Sequence, residues 1–542
     1  MEVQELLKLY AAHPQVTALD TLLKNDTSRN IFLKGLNGSG PAMTIASLFT
    51  KGRGSYVCVL NDQEEAGYFY HDLMQLTASN EVYFFPSAYR RAIKYGHVDP
   101  ANEILRTEVL SRLQDPDASF VIVTYPDALA ERVVAREVLK ENTLKISVGE
   151  KLDNMFVSDV LDEYGFEQVD YVYEPGQYAL RGSILDVFSF SNEFPYRIDF
   201  FGDEVETIRT FDVETQLSKE KLDSIYIVPE MSKNAKDSTS LLGSLPRNTC
   251  IAARDLSWCK ERIGSVWNDD PVVADEESFA DIDQMRKKLV RGEDFLREVL
   301  DFRRIHFGAR PMGTADATIH FSTQTQPIYH KNFDRVSESF HKYLDEGYTL
   351  YILSDQEKQA NRIRMIFEDR GDNIPFTAVN RTIHEGFADD TLRICFFTDH
   401  QLFDRFHKFN LKSDKARSGK ITLSLKELNQ FSQGDYIVHI DHGVGQFGGL
   451  VRTEVNGKMQ EAIKLIYQNN DIIFVSIHSL HKLSKYKGKE SGEPPKLSKL
   501  GTGAWEKMKE RTKAKVKDIA RDLILLYSKR KQETGFAYTP DS

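Results

Sequence analysis

Residues 33–44, LKGLNGSGPAMT, follow a short apolar run and carry the glycine spacing of a loop that grips phosphate. A working loop of that kind ends in Gly-Lys-Ser/Thr, because the lysine reaches the β/γ-phosphates and the hydroxyl binds Mg²⁺. Gly35, Gly38, Ser39 and Gly40 supply the turn, but Pro41 and Ala42 stand where the lysine and the hydroxyl belong. Pro41 removes a cationic head and a backbone N–H that would face phosphate. Ala42 removes the metal-binding hydroxyl, so neither ATP nor Mg²⁺ is expected on this loop. Four histidines, His439, His442, His478 and His481, are a second chemical candidate. Positions i and i+3 of a strand point to opposite faces, so neither pair chelates and no metal site is expected. GxSxG and HExxH are absent, and the lysine of SGKITLS follows a single glycine in a linker. With no catalytic apparatus in view, a non-enzymatic chain is expected.

The elements that must position these residues follow from composition and pattern. At 542 residues, 41% hydrophobic and 28% charged, the chain is of globular type and long enough for several domains. Cys58, Cys250, Cys259 and Cys395 lack CxxC spacing, which argues against structural zinc or a disulfide scaffold and fits a reducing cytoplasm. No apolar run of about 18 residues occurs, and the amphipathic, partly acidic N-terminus is not a signal peptide, so no membrane partner is expected. Residues 1–120 alternate strands and helices and predict a parallel α/β domain, with a helix capped near Asn61 or Asp62. Residues 150–230 alternate with period two between Gly, Asn and Pro, predicting an antiparallel sheet. Residues 230–310 return to mixed α/β and end in charged, helix-like segments through DFLREVLDFRRIHF. A third α/β unit, about 315–415, repeats the tripeptide DQE at 355–357, read as shared cap chemistry with 62–64, and carries no interpretable motif.

After a Gly/Ser/Lys-rich linker, residues 434–486 predict strands near 435–440, 446–455, 458–467 and 472–477. Asn456-Gly457 gives the strongest short hairpin signal, and the whole suggests a small barrel. Residues from Trp505 to Tyr527 fit one face of a long helix whose other face is basic. Charge is uneven along the chain. Residues 153–214 hold fifteen acids against three arginines, whereas residues 482–531 hold sixteen Lys/Arg against six acids. An acidic module repels DNA phosphates and suits a protein partner, while a basic tail suits nucleic acid or an acidic surface.

The order of modules resembles the N-terminal half of the bacterial transcription-repair coupling factors. The first three segments resemble excinuclease B, whose first domain carries a live phosphate loop. YALRGSILDVF through PYRIDFFGDEVETIRTFD is similar to the inserted domain shared by the two families. GDYIVHIDHGVGQFGG through SLHKLSKY is similar to the polymerase-interacting domain also found in CarD-type factors, and LGTGAWEKMKERTKAKVKDIARDLILLY extends the likeness. The resemblance implies a multidomain α/β and β chain in six parts. These are an α/β domain at 1–125 with the degenerate loop, an inserted antiparallel-sheet domain at 126–220, and the α/β domain's second part at 221–310. A further α/β domain at 311–415, an SH3/Tudor-like barrel at 430–488 and a basic linker helix at 500–534 complete it. It implies a cytoplasmic, monomeric adaptor that recruits excinuclease A and binds the RNA polymerase β subunit. Tyr178 and Arg181 would be the excinuclease A contacts, with Phe188 in the core and Glu167 where relatives carry a base. Arg181 could equally be spent in an internal salt bridge.

The family continues into a DNA translocase with two RecG-like lobes, which would supply ATP, Mg²⁺ and most DNA contact. This sequence stops at GFAYTPDS, where that motor is expected to begin. SAYRRAIKYGHVDPANEIL replaces the excinuclease's long tyrosine-rich hairpin, so damage sensing is not expected. In the barrel, alternation along QEAIKLIYQ sets Ala462, Lys464 and Ile466 against Glu461, Ile463, Leu465 and Tyr467. The resemblance favours Ile463, Lys464, Leu465 and Tyr467 as polymerase contacts on an edge strand, with burial of these residues in the core as the alternative. Two other readings stay open: a weak nucleotide-dependent enzyme of the first domain, and a CarD-like DNA-binding regulator resting on the basic helix.

Overall fold

A computed structural model describes residues 1–25, 28–52, 54–88, 99–213, 216–231, 238–268, 286–405, 407–409, 411, 428, 430–455, 458–486, 495–505, 507–509 and 511–512. Asn456-Gly457, the linker beyond residue 411 up to 427, and the basic helix beyond Thr512 lie outside them. The side chains of His478 and His481 do too. Two compact units divide the chain, residues 1–419 and 420–542.

The first unit is built on a seven-stranded, all-parallel sheet. Its strands run in the order Ala317–His320, Asn30–Lys34, Arg303–His306, Cys250–Ala253, Tyr56–Val59, Val121–Thr124, Val82–Phe84. YVCV, VIVT and CIAA are buried at every position, as expected of strands covered by helices on both faces. Helix Gly40–Gly52 follows the loop, and Pro41 falls in its first turn, where a missing N–H is tolerated. Asp62 caps helix Gln63–Thr77 by accepting the Glu65 N–H, as expected.

Three readings of the sequence change here. FRRIHF is no helix: Arg303–His306 is an inner strand of this sheet, and buried Arg304 donates to the carbonyls of Leu300 and Phe302 at 3.0 Å. The charged pattern hid a strand because the arginine's Nη1 is bonded to carbonyls of the turn before it. The first domain also reaches past residue 310, through Ala317–His320. Asp355 does not cap, since helix Glu357–Asp369 starts after Gln356 with no side-chain cap.

The inserted module leaves and rejoins the first domain at neighbouring points: Val133–Val134 pairs antiparallel with Ser238–Thr239, and Leu144–Ser147 with Ser224–Ile227. Its six-stranded sheet is antiparallel except where Glu167–Gln168 runs parallel to Gln177–Arg181, and it extends past the expected end at 220 through Ser218–Leu222. One face packs on helix Asn154–Glu163 through Val157 and Leu161; the other meets Ile104 of the first domain through Ala179, Phe188 and Phe211. The third domain has a mixed five-stranded sheet, ordered Thr323–Thr325, Phe387–Asp389, Ile394–Thr398, Thr349–Leu353, Thr377–Val379.

The second unit contains a five-stranded antiparallel sheet in the order Ile472–Ser476, Lys458–Ile466, Gly443–Val455, Tyr436–His439, Leu483–Lys485. Trp505 Nε1 donates to the Ile440 carbonyl at 2.9 Å, anchoring the start of the C-terminal helix on this sheet.

Gly35 has φ +92°, and a Cβ there would lie 2.1 Å from the Phe321 carbonyl oxygen. Gly35→Ala is therefore expected to destabilise the first unit by about 1–3 kcal/mol or more, from backbone strain before the overlap is relieved. Denaturant unfolding of the parent and variant checks this.

Candidate functional site

The degenerate loop is occupied by protein. Ser39 N–H donates to the Glu385 carbonyl and Glu385 N–H donates back to Ser39 Oγ, each at 3.0 Å. Asn37 N–H donates to Thr323 Oγ1 at 2.9 Å, and Thr323 Oγ1 donates to the Gly35 carbonyl at 2.7 Å. A Cβ on Gly38 would meet the Gly386 carbonyl oxygen at 2.8 Å, so the third domain's backbone takes the close approach that a phosphate takes in a live loop. Beneath it, Ser39 Oγ donates to Asp72 Oδ2 at 2.5 Å, and Asp72 Oδ1 accepts the His384 N–H at 2.7 Å. Gly40, Pro41 and Ala42 are buried in the helix that follows.

The sheet module's three arginines are all turned on its own carboxylates. Asp186 is the hub: Arg197 donates from Nε to Oδ1 at 2.7 Å and from Nη2 to Oδ2 at 2.8 Å, and Arg181 Nη2 donates to the same Oδ2. Arg209 pairs with Asp199 at 2.8 Å. Ala179, Asp186, Arg197, Arg209 and Lys221 stand directly opposite one another across five strands. Arg197, Arg209 and Lys221 are thus directly opposed cations, and Asp186 and Asp199 offset that repulsion by pairing with the two arginines. Arg181 also donates to the Asp170 carbonyl at 2.9 Å and lies 5.0 Å over the Tyr171 ring, with its side chain 34% exposed. The internal salt bridge is thus real, though the guanidinium still reaches the surface beside exposed Tyr171 and Tyr173. Tyr178 is a correction: it is buried, its hydroxyl bonded to Ser158 and Asp162, and offers no surface. Phe188 is core and Glu167 is exposed.

The barrel strand is corrected as well. Lys458–Ile466 is flanked on both sides, by Gly443–Val455 and by Ile472–Ser476, and so presents no edge. Ile463, Leu465 and Tyr467 are core, packed with Phe447, Val475 and Leu480; Lys464 alone of the four expected contacts points outward. Alternation could not choose the face, because Ala462 and Ile466 make the outer side apolar too. Among the described residues the open edge nearest these positions is Ile472–Ser476. It exposes Ile472 (44%) and Phe474 (51%), opposite Ile466 and Lys464. Sequence reasoning missed these two, although IIFVS carries the same two-sided apolar signal. His439 and His442 bring their rings to 4.6 Å, and His439 Nδ1 accepts the Asp441 N–H. Among the described residues no group of side chains is arranged to hold a metal, and no helix is long and apolar enough to cross a membrane. All four cysteines are free and buried.

These surfaces belong to a modular protein that carries an inserted, mostly antiparallel sheet module in one unit and a small five-stranded antiparallel sheet in the other. Residues 144–232 match the UvrB interaction domain, and residues 431–487 match the CarD-like/TRCF RID domain. The transcription-repair-coupling factor of Bacillus subtilis (strain 168) is 25% identical across 94% of this chain and 49% of its own length. That of Staphylococcus aureus (strain bovine RF122 / ET3-1) is 24% identical across 97% and 52%. The chain therefore spans about half the length of the curated relatives it matches. Domains and relatives together fit an N-terminal part of a transcription-repair-coupling factor.

Two outcomes follow from this geometry. ATP with Mg²⁺ is expected to leave the melting temperature of the chain unchanged, since stabilisation by mass action requires binding; a turnover abolished by changing Gly38 or Ser39 would overturn this. Asp186→Ala leaves Arg197 and Arg181 without their carboxylate and is expected to cost the sheet module about 3–5 kcal/mol. Arg181→Ala, at a partly exposed position that leaves Asp186 held by Arg197, should cost about 1 kcal/mol or less. Urea titration followed by near-UV circular dichroism separates the two.

Proposed function

We propose that this chain is the recruiting portion of transcription-repair coupling and performs no chemistry of its own. The observation that carries the reading is the presence, in one chain, of a UvrB interaction domain and a CarD-like/TRCF RID domain beside a phosphate loop filled by protein. The barrel would dock on RNA polymerase through its β subunit, while the acidic sheet module would recruit excinuclease A. ATP-driven translocation on DNA would belong to the part of the family's length that this chain does not span.

The open edge Ile472–Ser476 supports docking by strand addition. Among the described residues no strand pairs with the outer side of residues 472–475, so the backbone there can extend a partner's sheet, while Ile472 and Phe474 supply side-chain anchors. Lys464, opposite Phe474, adds a cation beside that anchor. In the sheet module, Arg181 and the exposed Tyr171 and Tyr173 form the surface best suited to a partner. The basic composition of residues 482–531 favours a second reading, a DNA-binding regulator, which predicts steeply salt-dependent duplex affinity.

Phe474→Arg should stay folded and bind the polymerase β subunit more weakly by at least about tenfold, the scale of one lost anchor. Leu465→Arg should unfold the barrel instead. A folded Phe474→Arg that binds normally removes this edge from the interface. Tyr171→Ala combined with Arg181→Glu should weaken excinuclease A binding by about 2–5 kcal/mol, read by calorimetry with Arg181→Ala as the folding companion. Unchanged affinity takes Arg181 out of the site.

A further inference from the structure

The joint between the first and third domains contains four imidazoles. His71 comes from helix Gln63–Thr77 of the first domain, and His384, His400 and His407 from the third domain's side. His400 and His407 stack 4.2 Å apart with their planes 11° from parallel, and His71 meets His407 edge-on at 5.1 Å. The Nδ1 atoms of His384 and His407 lie 3.4 Å apart. Tyr68, one turn before His71, stacks on His384 at 3.5 Å and donates its hydroxyl to the His407 carbonyl at 2.7 Å. Phe409 then sits over Gly67, where a Cβ would fall 2.2 Å from its ring. Asp72 ends the row, bonded to Ser39 of the loop and to the His384 N–H.

We propose that this cluster is an acid-sensitive latch, which fastens the third domain over the degenerate loop while its imidazoles are neutral and releases it when they are protonated. Two facing Nδ1 atoms can share a hydrogen bond only if one of them lacks a proton, and two stacked imidazolium rings would repel. Carboxylates stand near two of the rings. Glu385 lies 3.9 Å from His384. Asp399 lies 3.9 Å from His400 and is already bonded to Arg405 at 2.5 Å. Asp72 faces the cluster from the helix, and Glu64, Asp404 and Lys408 flank it in the chain.

The titration of the joint has two limbs. Burial, with His400 nearby, pushes His71 down to about 4. Burial also pushes His400 down, against its hydrogen bond to the His384 carbonyl and the charge of Asp399. Between the ordinary histidine value, about 6.5, and about 4, the opened joint binds protons that the closed joint refuses, so closure weakens as pH falls. Asp72 acts with the opposite sign. Burial raises its carboxyl to about 8, despite the hydrogen bonds from Ser39 and the His384 N–H. The closed joint keeps a proton that the opened joint loses above about pH 4, so closure also weakens as pH rises toward about 8. Two histidines outweigh one carboxyl on the acid side, and Asp72 acts alone on the alkaline side.

Amide hydrogen exchange on the intact chain, corrected for intrinsic rates from about pH 4.5 to about pH 8, tests this. Protection of residues 36–40 and 383–387 should fall by up to about tenfold per pH unit below about 6.5, the slope of one net proton. Strands Tyr56–Val59 and Thr349–Leu353, inside the two cores, should keep theirs. His71→Leu should flatten the acid limb, whereas Asp72→Asn should abolish the alkaline limb and steepen the acid one. Joint and cores losing protection together would mean ordinary acid unfolding and overturn the latch. So would a flat joint profile, or a His71→Leu profile identical to the parent's.

Discussion

The reciprocal hydrogen bonds between Ser39 and Glu385 use three backbone atoms and the short Ser39 hydroxyl to set the distance between the first and third domains, leaving little slack for longer side chains to absorb. Two otherwise odd residues follow from that close approach: a Cβ on Gly38 would strike the Gly386 carbonyl oxygen, and Gly67 makes room for the Phe409 ring. His13 and Asp389 form a fully buried pair at 3.0 Å where the N-terminal helices meet the third domain. A buried polar pair is costly unless its hydrogen bonds are completed, and Asp389 also accepts the N–H groups of Thr391 and Leu392. The glycine pattern of a nucleotide loop persists because backbone must still approach backbone, although the lysine and hydroxyl have gone.

The sheet module obeys a different constraint. Fifteen acids against three arginines is a poor ratio for internal pairing, yet all three arginines are held by carboxylates of the same sheet. The surplus acids are left to the surface, which fits a partner carrying positive charge and disfavours a nucleic-acid backbone. The second unit's sheet differs: Arg452 pairs with Glu461 across neighbouring strands, and the end strand Ile472–Ser476 exposes Ile472 and Phe474.

Periodicity made the parallel sheet, the meander and the barrel strands legible, since YVCV, VIVT and the alternation of QYALR through TIRTF are statements about burial. It failed where a polar residue is satisfied locally. Arg304 disguised an inner strand as helix, and two-sided apolar strands hid which of Leu465 and Ile466 faces in. The resemblance made Tyr178 a partner contact, and the sequence cannot show Ser158 and Asp162 closing over its hydroxyl. Phe474 was visible as a strand residue, but its exposure depends on pairing order, which requires knowing that Lys458–Ile466 has a neighbour on each side. The histidine joint was not legible at all, because His71 lies more than three hundred residues before His384, His400 and His407 in the chain.

The paired strands Val133–Val134 and Ser238–Thr239 bring the two ends of the inserted module side by side. A segment of about a hundred residues whose ends already touch can be gained, lost or exchanged in evolution without cutting any strand of its host. Its helix and six strands bring a separate core, so it can also be inherited whole. Such a junction gives a physical route by which one interaction module could come to be shared between otherwise different repair proteins, with the host sheet serving as a mount.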